Sequence, residues 1–219
     1  MKKILFILIP LFFFTFCKKK EKAEAVNFHY NYIPTNIGQW NEYEVTEIIH
    51  TSTGVHDTNN YYLREIVTEE ITPNKYRLER FWKNNLSNNW TIKDVWTREK
   101  TNSIFQQTEE NVNYTKLIFP IKANQYWNGN AYNSQEELNY EYDLVHQAYT
   151  LDNLNFDSTV TVIQLDNVNA IEYQKSEEVY AKNAGLVYKS NKDLSINFFD
   201  VTDINEGTEL EMKLINYGN

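Results

Sequence analysis

Hydrophobic and polar residues alternate with a period of two along most of the chain from Gly38 onward. Successive side chains of a β-strand point to opposite faces, so this alternation predicts strands with one buried face and one solvated face. Half-buried strands are typical of antiparallel sheets, whereas buried parallel strands read as continuous apolar runs. The clearest alternating sets are Tyr43, Val45 and Ile49; Tyr61, Leu63 and Val67; Leu138, Tyr140, Tyr142 and Leu144; and Leu210, Met212 and Leu214.

Turn-forming residues separate the alternating segments, for example at Ser52-Thr53-Gly54, Thr72-Pro73-Asn74 and Asn128-Gly129-Asn130. Their spacing predicts about ten to twelve strands in an antiparallel meander. We therefore predict an all-β fold, a curved sheet or a closed barrel, with at most one or two short helices. The segment Ser176–Lys182 is the helix candidate, although its pattern fits a strand equally well.

Composition supports this fold class, because 16 Tyr, 12 Phe and 5 Trp occur among 219 residues. Aromatic side chains favour pleated, half-buried surfaces. No glycine-rich linker or shift in composition divides the chain, so we predict one β domain over residues 28–219. The net charge of −9 disfavours binding to the phosphate backbone of nucleic acids.

Sequence motifs of known catalytic sites are absent, and we predict that the protein is not an enzyme and needs no cofactor or metal ion. The four histidines are His29, His50, His56 and His146, and no two have the spacing of metal ligands. Because His50 and His56 flank a hairpin loop, we expect them to be exposed. The adjacent acidic pairs, such as Glu109-Glu110 and Glu177-Glu178, are interpreted as solvated surface.

The N-terminus has the pattern of an export signal. Lys2 and Lys3 precede an apolar run from Ile4 to Phe16, which is shorter than the ~20 residues that a membrane-spanning helix needs. Cys17, the single cysteine, follows directly. This arrangement resembles a bacterial lipoprotein signal, in which the cysteine is acylated, for example with palmitate, and becomes the mature N-terminus. The resemblance implies a signal peptide over residues 1–16, lipid attachment at Cys17 and a tether over residues 17–27.

Two details leave alternatives open. Phe16 occupies a position where lipoprotein signals prefer a small residue, and the alternative is a secretory signal cut after Ala23-Glu24-Ala25. That alternative leaves the lysines of residues 18–22 between the apolar run and the cut, which opposes translocation. Acidic residues directly after the cysteine resemble a surface-export signal, and the lysines found here instead favour the periplasmic face of the outer membrane.

One phrase occurs twice, as IPTNIGQWNEY at Ile33–Tyr43 and as FPIKANQYWNGN at Phe119–Asn130. Proline fixes φ and cannot donate to a strand ladder, so it favours the start of a strand. We predict that each phrase begins a strand and places a tryptophan, Trp40 or Trp127, in the core. The alternative is an aromatic pair at the mouth of a cavity, in which Trp40 and Trp127 are candidate ligand-binding residues.

The segments IPTNIGQWNEYEV, KLIFPIKANQYWNGN and EEVYAKNAGLVYK are similar to segments of envelope lipoproteins from Bacteroidota. The last segment contains the phrase Tyr-Ala-Lys-x-x-Gly-Leu-Val, here Tyr180–Val187. The resemblance implies an antiparallel barrel or half-barrel and no established activity. Asp157-Ser158-Thr159 resembles an O-glycosylation site of these bacteria.

Together these features favour a lipid-anchored envelope lipoprotein that holds an apolar ligand in a barrel cavity or on a concave sheet. The competing hypothesis is a structural or assembly component of the outer membrane with a filled core. The expected partners are the membrane, through the lipid, and an apolar small molecule.

Overall fold

The computed structural model describes residues 26–219, so the predicted signal peptide and Cys17 lie outside the described residues. It confirms the predicted antiparallel all-β fold, with one 3₁₀ turn at Tyr30–Tyr32 and one sheet of twelve strands. Within this range no helix is long and apolar enough to cross a membrane. The strands are β1 Trp40–His50, β2 His56–Thr72, β3 Lys75–Lys83, β4 Thr91–Lys100, β5 Ile104–Glu109, β6 Val112–Ile118, β7 Tyr126–Asn128, β8 Asn139–Leu151, β9 Leu154–Val168, β10 Glu172–Ala181, β11 Gly185–Asn197 and β12 Asp200–Gly218.

The sheet is a meander that bends round until its two edges meet. Strands that follow each other in sequence pair in space, except that β1 also pairs with β12 and that β6 and β7 form the two edges. The Thr115 N–H of β6 donates to the carbonyl of Gly129, just after β7, over 2.9 Å. The twelve strands therefore form a nearly closed barrel with one weakly paired seam.

At this seam, side chains form hydrogen bonds with backbone groups of β6. The indole N–H of Trp127 donates to the Thr115 carbonyl over 2.8 Å. The Tyr142 hydroxyl lies 2.9 Å from the N–H of Ile118 and 2.7 Å from its carbonyl, and so bonds with both. An unpaired strand edge invites association with another chain, and these bonds reduce that exposure. Trp127 is 8% exposed and belongs to the core, as predicted.

Trp40 does not lie in the core, which corrects the prediction for the first phrase. It begins β1 and is half-buried, and the Arg64 guanidinium lies 5.6 Å from its ring. Asn41 and Tyr43 are the buried residues at this end of β1, so Trp40 falls on the opposite, outer face. The phrase starts a strand in both places, but the register of each strand decides which face receives the tryptophan.

Two other expectations are corrected. Ser176–Lys182 is not a helix, because all but its last residue belongs to β10, which has ladder partners on both sides in β9 and β11. Ile49 does not share the burial of Tyr43 and Val45, because it lies near the far end of β1, beyond the core.

The segment before β1 closes one end of the barrel. Tyr32 is fully buried, and its hydroxyl lies 2.8 Å from both Ser158 Oγ and His146 Nδ1. The Asn31 carbonyl accepts from the N–H of Asn183, between β10 and β11. Lys100, at the end of β4, donates to the Ile33 carbonyl over 2.8 Å. Because these partners come from separate parts of the wall, the segment crosses the opening between them.

Candidate binding site in the barrel interior

A cavity of about 260 Å³ lies inside the barrel. Alternation along β1, β2, β5, β11 and β12 points one apolar set of side chains into it. The principal members of this set are Val45, Leu63, Phe105, Leu186 and Met212. The remainder of the wall is polar and charged, and it was not expected from the sequence.

Three charged residues of the wall, together with Asp94 beside them, form what we call the arginine cluster: Glu65, Arg80, Asp94 and Arg98. The Glu65 carboxylate accepts from Arg80 Nε over 3.1 Å and from Arg98 Nη2 over 2.7 Å. Arg80 also donates to Asp94 over 3.0 Å. The ring of Trp96 lies 3.4 Å from the Arg80 guanidinium, so the cation also stacks on an aromatic face.

A second group, the lysine cluster, consists of Glu109, Lys116, Glu178 and Lys189. Lys116 Nζ lies 2.8 Å from Glu109 and 2.9 Å from Glu178. Lys189 Nζ lies 3.3 Å from Glu178 and 3.7 Å from Glu109. The Tyr180 hydroxyl donates to Glu178 over 2.6 Å. These residues come from β5, β6, β10 and β11, so the cluster ties together strands that are distant in the sheet.

The two carboxylates of the lysine cluster are held in their charged form. Burial acts to raise the pKa of Glu109, but Lys116 and Lys189 outweigh it and hold that pKa below its ordinary value. The same balance lowers the pKa of Glu178. Burial acts to lower the pKa of Lys116, and the two glutamates raise it above its ordinary value. Both acids and Lys116 are therefore charged at neutral pH.

Gln107 joins the two clusters. Its Oε1 accepts from Arg98 Nε over 2.7 Å, and its Nε2 donates to Glu109 over 2.9 Å. Each cluster has two acids and two bases and is neutral as a whole. On the other side of the lysine cluster lies a second cavity of about 320 Å³, lined in part by Lys116, Tyr140 and Gln164. The lysine cluster therefore separates two cavities.

The first cavity opens through the wall beside β4. Residues Thr97–Lys100 pair with β5, while the part of β4 before Thr97 has no partner there. Lys93 and Trp96 of that part, together with Glu110 in the β5–β6 turn, line the cavity. Trp96 Nε1 donates to Glu110 over 3.3 Å across the gap. Lys93 and Glu110 are exposed as well as lining the cavity, so the cavity reaches the solvent-exposed surface at this gap.

The sequence interpretation of the acidic pairs is wrong for Glu109 and Glu178, which face the interior. Their neighbour Glu110 is exposed at the cavity opening, and Glu177 is half-buried. Lys116 and Glu178 are 62 residues apart in sequence. The available signal was the alternation of Glu178 with Tyr180, which puts both on the face that packs inward.

The proposed ligand-binding tryptophans do not line either cavity. Trp127 packs at the seam and Trp40 lies on the outer face, and a ligand-binding role for either stays a prediction. The first repeated phrase contributes Ile33, Pro34 and Gln39 to the cavity instead. Gln39 is 6% exposed, and within residues 26–219 its Oε1 has no hydrogen-bond partner.

The histidines differ from the sequence expectation. His50 is 8% exposed rather than a solvated loop residue, because it packs against His56 and Glu209. His29 and His146 also meet, with ring centroids 4.1 Å apart. No group of three or more His, Cys, Asp or Glu side chains in the described part of the chain is arranged to hold a metal ion.

Comparison with known proteins identifies a solved structure of similar shape. No protein-family model and no curated protein matches the chain. The chain is similar to a crystal structure of a proposed lipoprotein from Parabacteroides distasonis ATCC 8503, with 14% sequence identity and a TM-score of 0.42. The match covers 84% of this chain and 98% of that one.

Proposed function

We propose that the protein is a lipid-anchored, non-enzymatic envelope protein whose barrel cavity binds a small amphiphilic molecule. The observation that carries the proposal is the mixed wall of the first cavity, which is apolar at Leu63, Phe105 and Met212 and polar at Gln39 and the arginine cluster. Ligand sites are commonly concave and apolar with a few placed polar groups. An apolar body would pack on the first set while a hydrogen-bond donor reaches Gln39 Oε1.

A purely apolar ligand, as expected from the sequence, suits this wall less well. It would leave Gln39 Oε1, which has no hydrogen-bond partner within residues 26–219, covered by an apolar surface, and uncompensated burial of polar groups is costly. The volume of about 260 Å³ also restricts the occupant to a small molecule. The proposed ligand is therefore amphiphilic and compact.

The alternative function is structural, and one observation favours it. Every charge of the arginine and lysine clusters already has a partner of opposite sign within its own cluster. In that case the clusters stabilise the closed barrel and the cavity holds water. The protein would then act as a structural component of the outer membrane.

The location proposed for the protein is the periplasmic face of the outer membrane, with lipid attached at Cys17. One acyl chain holds a protein at a membrane only marginally, whereas two or more hold it firmly. The variant Cys17→Ser should therefore move from the membrane fraction to a soluble or unprocessed form. Tight membrane association of this variant would contradict the anchor.

Native mass spectrometry of the full-length protein, gently purified from its own membrane, tests the ligand. The wild-type protein should carry a small-molecule adduct. Leu63→Trp should lose it by filling the cavity, and Gln39→Leu, which changes little volume, should weaken it. Ile92→Trp, at an exposed position of β4, should keep it. A bare mass for the wild-type protein, or an adduct kept equally by all variants, would contradict the proposal.

A further inference from the structure

His50 and His56 meet on the outer face of the β1–β2 hairpin, away from the cavity. They are direct cross-strand partners in the ladder. Their Nδ1 atoms are 2.7 Å apart, and the rings are nearly perpendicular at 70°. His50 is buried, whereas His56 is exposed to solvent. Two imidazole nitrogens therefore face each other at a position that solvent can reach from the side of His56.

Glu209 of β12 fixes the orientation of His50. Its Oε1 lies 2.9 Å from His50 Nε2, and its Oε2 lies 2.6 Å from Lys192 Nζ. The carboxylate is therefore an acceptor, and His50 Nε2 carries the hydrogen. In neutral His50 this leaves a lone pair on Nδ1, which lies 2.7 Å from His56 Nδ1.

We propose that His50 Nδ1 and His56 Nδ1 together bind a divalent late first-row transition metal ion such as Zn²⁺, Ni²⁺ or Cu²⁺. Imidazole nitrogen is a preferred ligand of these ions. A hydrogen on Nδ1 of a neutral His56 ring moves to the solvent-exposed Nε2, and the metal ion replaces the contact between the two Nδ1 atoms. Water completes the coordination.

The geometry requires only a small adjustment. Metal–nitrogen bonds of ~2.0–2.1 Å at a tetrahedral ion place two ligand nitrogens about 3.3 Å apart. The present separation of 2.7 Å can open by rotation of the exposed His56 ring while Glu209 holds His50. A carboxylate on the far nitrogen of a metal-binding histidine is a recurrent supporting arrangement, and its loss typically lowers metal affinity by roughly 10–100-fold.

The other histidine pair provides a matched control. His29 and His146 also lie together, with ring planes tilted by 41°, but His146 Nδ1 is already bonded to the Tyr32 hydroxyl. Burial and then the nearby Lys182 lower the pKa of His29, and burial, His29 and Lys182 lower that of His146. The same positive charge of Lys182 repels a metal cation. We therefore expect no metal ion at this second pair.

Isothermal titration of the untagged full-length protein with Zn²⁺, and separately with Ni²⁺, tests the site. The wild-type protein should bind one ion per chain. Affinity should fall by roughly tenfold or more in His56→Ala and by roughly 10–100-fold in Glu209→Gln, and it should not change in His146→Ala. His56 is exposed, so His56→Ala should keep the wild-type thermal midpoint in the presence of a chelator. Absence of binding, or equal binding by His56→Ala and the wild-type protein, would overturn the proposal.

Discussion

The arginine cluster and the lysine cluster have the same composition of charge but different places in the fold. The arginine cluster lies on the adjacent strands β2, β3 and β4, where Glu65 faces Arg80 and Arg80 faces Asp94 directly across the ladder. The lysine cluster joins β5 and β6 to β10 and β11 through the interior. One cluster follows from local strand register, and the other exists only when the barrel closes.

The chemistry of the cations matches this difference. Arginine has a planar fork that can bond two acids in fixed directions, as Arg80 does with Glu65 and Asp94. Lysine is a compact point charge, and Lys116 lies almost equally far from its two acids. The comparison indicates that the lysine cluster mainly stabilises the closed barrel, whereas the arginine cluster shapes the wall beside the cavity opening.

The largest expected effect comes from breaking the lysine cluster. The Glu178 side chain is 2% exposed, and Glu178→Ala leaves Lys116 with one acid fewer in a buried site. Removing one partner of a buried ion pair typically costs ~3–5 kcal/mol. Denaturant midpoints should show this loss, while Glu211→Ala, in an exposed pair with Lys213, should change stability by less than ~1 kcal/mol. Equal midpoints for the two variants would remove the special role of the cluster.

Acidification should weaken the lysine cluster next. The pKa values of Glu109 and Glu178 are lower in the folded protein than in the unfolded chain, so their contribution is complete above the unfolded-chain value of about 4.3. It decreases progressively as the pH falls below that value toward the folded-state pKa values. We expect a loss of ~2–3 kcal/mol between pH 6 and pH 3 in denaturant titrations. Glu109→Gln should flatten this dependence, and an unchanged slope would contradict the assignment to this cluster.

In the arginine cluster, the planar geometry of the Arg80 guanidinium should contribute more to the unfolding free energy than its charge alone. Arg80→Lys keeps the charge but loses the paired bonds to Glu65 and Asp94 and the stacking on Trp96. Because hydrogen bonds to charged groups contribute ~1.5–3 kcal/mol, a loss of ~2 kcal/mol in unfolding free energy is expected. Lys189→Arg, in the lysine cluster, should lower the unfolding free energy by less than ~1 kcal/mol, because lysine acts there only through its charge. A reversed order would show that the two clusters do not differ in this way.

The smallest effect concerns the link between the clusters. Gln107→Leu removes the bridge from Arg98 to Glu109 and should cost ~1 kcal/mol. It should also abolish the coupling measured by a double-mutant cycle between Arg98→Ala and Glu109→Ala. Coupling that persists in Gln107→Leu would mean that the clusters interact directly through the interior.

The sequence predicted the positions of the strands better than it predicted the faces and partners of individual side chains. Alternation at Tyr61, Leu63 and Val67 identified an inward face because burial repeats every second residue in a strand. The face of Trp40 could not be predicted, since it depends on the register of β1 against its neighbours. The inward position of Glu178 was visible in its alternation with Tyr180. Its partner Lys116 was not, because the pairing depends on closure of the barrel between distant strands.

The most direct test of the account is the electron density of the first cavity in a crystal structure of the full-length protein purified from its own membrane. We predict a bound molecule with a polar atom within ~3.2 Å of Gln39 Oε1 and an apolar part against Leu63 and Met212. Density for ordered water alone, in protein that has never been exposed to denaturant, would contradict the binding function and support the structural one.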